Sequence, residues 1–236
     1  MTKIILVRHG QTEWNRVERF RGRADVPLNE IGLAQAEATA RAVATRCTAE
    51  AVYSSPLSRA MRTAAAIARR LSVEVETDSS LVDIDYGAWQ GLSPDDVRSR
   101  WPGLLSAWYR SPHTVRIPGG GSLDEVRTRC TEALRRAVER HVDGCAVLVS
   151  HTVVNRVLIL SVLGLGNDSF WHLRQDTCAI NEIHWEGGAF VLASMNDTCH
   201  LLEASATNAG TAIIDPRKRS SDEGPPLTRR SPHVNR

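Results

Sequence analysis

The chain has 236 residues and a mass of 26.0 kDa, enough for one large domain with a sizeable buried core. Its apolar fraction of 42% and charged fraction of 24% are close to ordinary globular values, which excludes a wholly disordered chain. No apolar run approaches the roughly 18 residues of a membrane-spanning helix, and the N-terminal segment lacks the features of a signal peptide. The five cysteines form no CxxC pair. We therefore expect a reduced, cytoplasmic protein that does not associate with a membrane.

Charge is distributed unevenly along the chain, which carries a net charge of +2. Residues 206–236 hold six basic and three acidic residues, so residues 1–205 have a net charge of −1 and do not resemble a nucleic-acid-binding domain. The same C-terminal segment contains four of the ten prolines and no aromatic residue, too little apolar surface to offset its ordering entropy. We predict one domain over residues 1–205 and a disordered basic tail over residues 206–236.

Strand and helix patterns alternate along the predicted domain. The apolar runs that indicate strands are 3–7, 51–54, 73–77, 145–150, 179–185 and 190–194. The helical patterns are 32–47, 57–71, 126–141 and 153–163. Gly187-Gly188 marks a hairpin between the last two strands. This order predicts an α/β three-layer sandwich, with a mixed, mostly parallel sheet and helices on both faces.

Two histidines follow the two strongest predicted strands. The first strand runs into Arg8-His9-Gly10, and the fourth runs into Ser150-His151. Because ligands of such sheets bind beyond the carboxyl ends of the strands, His9 and His151 are predicted to face each other across one crevice. The other histidines are expected to be ordinary core or surface residues: His113, His141, His172, His184, His200 and His233.

A third segment of interest follows the second predicted strand. Pro56 breaks the extended segment and places Arg59 in the first turn of the next helix. Arg59 is either a solvated surface charge or, together with Arg8, half of a guanidinium pair that grips an oxyanion.

These motifs, taken in order, resemble the histidine phosphatase superfamily, which includes the cofactor-dependent phosphoglycerate mutases. The resemblance covers roughly residues 3–200 and is carried by Arg8-His9-Gly10-Gln11-Thr12 with Asn15, Ser55-Pro56-Leu57-Ser58-Arg59-Ala60, and Ser150-His151. The segments 28–32 and 81–91 also resemble blocks of that family.

The resemblance implies a role for each matching residue. His9 would be the nucleophile that takes the phosphoryl group, Arg8, Arg59 and His151 would surround that group, and Asn15 would add a neutral donor. Asp83 stands where relatives usually carry glutamate and would protonate the leaving oxygen, with Asp85 as the alternative acid. Further substrate contacts are expected from Arg21, Gly22 and Thr152.

Several of these expectations have alternatives. Thr152 replaces the usual glycine, and its hydroxyl would either contact substrate or cap the following helix. The arginines 16, 19, 21 and 23 indicate either a second anionic group on the substrate or a solvated basic face. Gly121 stands where relatives often carry glutamate, so a carboxylate near the site is lost.

The function itself also has competing interpretations. Only about thirty residues separate Gly91 from Ser122, where mutases carry a long insertion, which favours hydrolysis over a phosphoglycerate mutase reaction. A metal hydrolase built on His9, His151 and Asp83, or a non-catalytic phosphoester-binding module, is less favoured. We expect a small phosphomonoester as the substrate, no cofactor, no metal and no nucleic-acid partner, and we leave a homodimer open.

Overall fold

The computed structural model of the protein describes residues 1–202 and contains one six-stranded sheet in this range. The strands are β1 (Thr2–Arg8), β2 (Ala51–Ser54), β3 (Val75–Thr77), β4 (Cys145–Ser150), β5 (Ile180–Glu186) and β6 (Ala189–Asp197). Their order in the sheet is β3-β2-β4-β1-β5-β6. The strands β3, β2, β4 and β1 are parallel to one another, β5 is antiparallel to β1, and β6 is antiparallel to β5. The predicted mixed, mostly parallel sheet is therefore confirmed. The predicted tail over residues 206–236 lies outside the described residues, and the domain boundary at residue 205 stays a prediction.

Helices cover both faces of this sheet, as predicted. The α-helices are α1 (Glu13–Arg16), α2 (Glu30–Arg46), α3 (Ser58–Leu71), α4 (Pro94–Arg100), α5 (Pro102–Arg110), α6 (Leu123–Arg140) and α7 (Thr152–Val162). Alternate residues of β1 point to opposite faces, so Ile5 and Val7 pack with α2 and α3, while Ile4 and Leu6 pack with α6 and α7. None of the helices in residues 1–202 is long and apolar enough to cross a membrane.

Local interactions explain where the observed elements differ from the predicted ones. Helix α2 begins at Glu30, two residues early, because the Asn29 side chain accepts a hydrogen bond from Gly32 N at 2.8 Å. Strand β3 begins only at Val75, because Ser72 ends α3 in the left-handed region and Val73 N still donates to Ala68 O. Helices α4 and α5 were not predicted.

The register of the central strands brings three chain segments to one edge of the sheet. Arg8 of β1 pairs with Ser150 of β4, and the next amide, His9 N, donates to Ser150 O at 3.0 Å. On the other side of β4, the amide of Ser55, just after β2, donates to Val149 O at 3.0 Å. The segments after β1, β2 and β4 therefore lie side by side.

Candidate active site

His9 is buried at this edge, and only 1% of its surface is exposed. Its Nδ1 lies 2.6 Å from the carbonyl oxygen of Gly10. A carbonyl can only accept, so Nδ1 carries the proton and the neutral ring keeps a lone pair on Nε2. Burial lowers the pKa of His9 well below its ordinary value, and the charge of Arg59 lowers it further. The imidazole is therefore neutral at physiological pH, as a nitrogen nucleophile requires.

His151 lies opposite His9, with the two ring centroids 5.1 Å apart, as predicted from the two strand ends. Its Nε2 is hydrogen-bonded to the Ser55 hydroxyl at 2.8 Å, and its Nδ1 is 4.0 Å from a carboxylate oxygen of Asp83. Burial and the charge of Arg59 hold the pKa of His151 well below its ordinary value. The site therefore contains two neutral imidazoles among several cations.

Arg59 is fully buried, so it is not the solvated surface charge that was one of its two predicted roles. Its guanidinium donates to the carbonyl oxygens of Gly22 and Ala24, each at 2.7 Å, and lies 3.6 Å from Asp83. Gly22 has a φ of +51°, and a Cβ at this position would come within 2.9 Å of Ile84 O. Glycine therefore allows the loop to approach closely enough to hold the guanidinium.

The two acid candidates have different surroundings. Asp83 is 5% exposed, and burial raises its pKa although Arg59 and Arg21 act in the opposite direction. Asp85 accepts a hydrogen bond from Gly87 N at 2.9 Å and pairs with the exposed Arg23 at 3.3 Å. Only Asp83 lies beside the histidines, and its environment favours the protonated form that a general acid needs.

A cavity of about 500 Å³ opens above this cluster. The predicted site residues that line it are Arg8, Asn15, Arg21, Asp83 and Thr152. His9, Arg59, His151 and Gly22 are buried and are not among the lining residues. Arg8 donates to the carbonyl oxygen of Gln175 at 2.5 Å, and burial lowers its pKa to about 9, with Arg21 and Arg156 adding to this effect. Arg8 therefore stays protonated at physiological pH and places a positive charge in the cavity wall.

Thr152 does not cap helix α7, so that alternative is wrong. The helix follows His151 as its capping residue, and the buried Thr152 hydroxyl has no partner among residues 1–202. The carboxamide oxygen of Asn15 accepts two hydrogen bonds from Thr12, so its amide nitrogen is the group left to donate to a ligand. Of the four clustered arginines, Arg19 and Arg21 line the cavity, whereas Arg16 and Arg23 pair with carboxylates outside it.

Several residues of the cavity wall were missed by the sequence analysis: Tyr86, Arg156, Phe170, Trp171 and Gln175. Arg156 follows Thr152 by four residues, and this spacing on a helix would have indicated a shared face. The aromatic residues gave no comparable signal, because only the tertiary fold brings them to the cavity.

Metal ligation was one alternative for His9, His151 and Asp83. Among residues 1–202, no three His, Cys, Asp or Glu side chains are grouped closely enough to hold a metal ion. His9, His151 and Asp83 are therefore not arranged as three ligands of one metal ion.

A neutral histidine surrounded by arginines, with a second histidine and a carboxyl group beside it, is the arrangement of a phosphoryl-transfer enzyme. The sequence model of the histidine phosphatase superfamily (branch 1) matches residues 4–198, and the chain belongs to this superfamily. The match confirms the family that the motifs resembled.

Individual relatives agree with this assignment. Phosphoserine phosphatase 1 of Hydrogenobacter thermophilus is 37% identical over 203 residues, which cover 86% of this chain and 96% of that protein. The solved structure of Bacillus stearothermophilus YhfR has a TM-score of 0.81 at 28% identity and covers 85% of this chain and 100% of its own. A phosphoserine phosphatase mutant from Entamoeba histolytica, in complex with phosphoserine, has a TM-score of 0.75 at 28% identity, with 85% and 100% coverage. The chain is a phosphomonoester hydrolase, and the mutase alternative is less favoured.

Proposed function

We propose that this hydrolase acts on a small phosphorylated metabolite through a phosphohistidine formed at His9. The observation that carries the proposal is the 2.6 Å contact between His9 Nδ1 and Gly10 O, which presents Nε2 as the free nucleophile. A cavity of about 500 Å³ suits a small ligand. The free thiols of all five cysteines support action in the reducing cytoplasm.

In the first half of the reaction, the lone pair of His9 Nε2 attacks phosphorus and the bond to the ester oxygen breaks. Asp83 gives its proton to that oxygen, and the alcohol leaves as a neutral molecule. Negative charge on the phosphoryl oxygens is stabilised by the guanidinium groups of Arg8 and Arg59, which are fixed by backbone carbonyls before substrate binds. Asn15 and His151 contribute neutral donors, Arg21 and Thr152 complete the substrate contacts, and Gly22 acts through its carbonyl oxygen, which holds Arg59.

In the second half, a water molecule attacks the phosphorus of the phosphohistidine. The Asp83 carboxylate takes a proton from this water, the phosphorus–nitrogen bond breaks, and inorganic phosphate leaves with His9 again neutral. The depressed pKa of His9 supports this step, because the ring returns to its unprotonated state without a further base.

The proposal predicts a phosphorylated form of His9. Enzyme mixed with a slow ³²P-labelled phosphomonoester and quenched rapidly in base should retain label that acid removes. The His9→Ala variant should retain no label and lose nearly all turnover. His113→Ala, which removes an exposed histidine outside the cavity, is the matched control and should behave as wild type. Label or near-normal turnover in a folded His9→Ala protein would contradict the proposal.

A further inference from the structure

Arg156 lies in the cavity wall beyond the residues that surround the phosphoryl group. Its guanidinium carbon is 5.1 Å from the centre of the Phe170 ring and 5.0 Å from that of Trp171. The planes of these two rings are 83° apart, and cation–π attraction to both holds the guanidinium at the corner between them. Aromatic rings offer no conventional hydrogen-bond acceptor, so the N–H donors of this guanidinium remain for a ligand.

Arg156 differs from the other arginines of the cavity. Arg8, Arg19 and Arg21 each donate to a backbone carbonyl, and Arg174 donates to the Asp176 carboxylate. Within residues 1–202, Arg156 makes no hydrogen bond and no ion pair, and its Nε is buried without a partner. A half-buried charge without an anion is costly, so this position favours a ligand that supplies one.

The acidic side chain whose charge acts on Arg156, Asp176, does not fill this role. Asp176 also lines the cavity, and its charge raises the pKa of Arg156, although burial dominates and lowers that pKa to about 10. Both carboxylate oxygens of Asp176 already accept from Arg174, and one also accepts from Asn196. Arg156 therefore remains charged at physiological pH and is not neutralised by a hydrogen-bonded carboxylate of the described chain.

Helix α7 connects Arg156 to the reaction centre. The helix starts directly after His151, and Thr152 and Arg156 are four residues apart on the face that lines the cavity. Arg156 is near enough to Arg8 for its charge to lower the pKa of that residue. A substrate whose phosphoryl group lies at Arg8 would therefore extend past the unpartnered Thr152 hydroxyl toward Arg156.

We propose that Arg156 binds a carboxylate group of the substrate, so that the enzyme selects phosphate esters of small hydroxy or amino acids. This inference rests on the proposed function, since it assumes that the phosphoryl group lies at Arg8 and His9. A planar guanidinium pairs with a carboxylate through two parallel hydrogen bonds. The neighbouring Thr152 hydroxyl provides a further donor for the same group or for an adjacent hydroxyl.

The first test uses the wild-type enzyme and two substrate pairs that differ by a carboxylate. These are 3-phosphoglycerate against glycerol 3-phosphate, and phosphoserine against phosphoethanolamine. We expect kcat/KM to be roughly 10- to 100-fold higher for the carboxylate member of each pair, the range of a charge-assisted bidentate contact. Equal values within each pair would overturn the inference.

The second test removes the guanidinium. Arg156→Met should abolish the preference within each pair by lowering kcat/KM for the carboxylate substrates only, and Arg156→Lys should retain part of it. Arg140→Met is the matched control, because Arg140 also lies over an aromatic ring, Tyr53, but outside the cavity. A similar decrease in kcat/KM for all four substrates, or no decrease in a folded variant, would show that Arg156 does not bind the carboxylate.

Failure of this inference can be separated from failure of the proposed function. Hydrolysis of p-nitrophenyl phosphate with a labelled His9 but no carboxylate preference would retain the phosphohistidine mechanism and remove only the carboxylate role. If Arg156→Met does not fold, the carboxylate preference is tested by competitive inhibition of p-nitrophenyl phosphate hydrolysis in the wild-type enzyme. D-glycerate should then inhibit at least roughly 10-fold more tightly than glycerol, and equal inhibition would overturn the inference.

Discussion

Replacing Asp83 by asparagine tests the acid role most directly. The substitution keeps the shape of a buried side chain that lies 3.6 Å from Arg59 and 4.0 Å from His151, but removes the transferable proton. General acid catalysis typically increases the reaction rate 10²–10⁴-fold, and the increase is larger when the leaving group is a more basic anion. An alkoxide needs the proton, whereas p-nitrophenolate does not. We therefore expect a loss of about 10²–10⁴-fold for an alkyl phosphate and of less than about tenfold for p-nitrophenyl phosphate.

The assay must isolate the phosphorylation step, because Asp83 also activates water in the second half of the proposed reaction. Rapid-quench measurement of alcohol or phenolate released in the first turnover, with enzyme in excess, meets this requirement. Asp85→Asn is the matched control, because Asp85 pairs with Arg23 away from the histidines. The effect of this substitution on the first-turnover rate should be the same for both leaving groups. Equal first-turnover losses for both substrates in Asp83→Asn would refute the acid assignment.

Two further predictions concern the scaffold of the site. Gly22→Ala should lower the free energy of unfolding by about 1–3 kcal/mol and reduce kcat/KM, because its Cβ would displace the carbonyl that holds Arg59. Gly164→Ala, at a similar φ of +68° with open space around it, should cost about 1 kcal/mol in urea unfolding and leave kcat/KM unchanged, and equal effects on activity would contradict this reasoning. The free energy of unfolding should also decrease as the pH falls below about 6.5, because His9 and His151 bind protons in the unfolded chain but stay neutral in the folded protein. Each histidine contributes up to about 1.4 kcal/mol per pH unit to this decrease. The raised pKa of Asp83 has the opposite effect on stability at lower pH. The test compares urea midpoints of wild type and His151→Gln at pH 7.5 and 5.5, and the midpoint of the variant should change less between the two pH values. An equal change in both proteins would contradict a lowered pKa of His151.

Much of the fold could be predicted because its strands are short apolar runs with sharp boundaries. Strands β2 and β4 have the bounds that their sequence pattern indicated, and the Gly187-Gly188 turn of the final hairpin has both residues at positive φ. The helices α4 and α5 were missed although local signals were present. Ser93 and Asp96 form a capping box, and Pro94 is the first residue of α4, but the two helices have only seven and nine residues, too few for their pattern to stand out in the sequence.

The reactive centre was more predictable than the rest of the site. His9 and His151 follow the ends of neighbouring parallel strands, so their proximity follows from topology alone. The burial of Arg59 and the separation of Asp83 from Asp85 depend on which way a loop turns, and periodicity does not encode that. The cavity wall depends on contacts between distant segments. Phe170 and Trp171 reach Arg156 only after a 3₁₀ segment, Asn167–His172, packs against helix α7.

The position of β1 in the sheet also has a consequence for how the protein emerges during synthesis. This strand is made first, yet its two neighbours, β4 and β5, lie in the last part of the described chain. The apolar residues and the backbone hydrogen-bonding groups of β1 therefore stay without their partner strands until β4 and β5 have been synthesised. A ribosome-bound chain that ends before residue 145 should hold His9 without its partner strand. Because β4 lies between β1 and β2 in the sheet, His9 and Ser55 can be brought together only after β4 has been made.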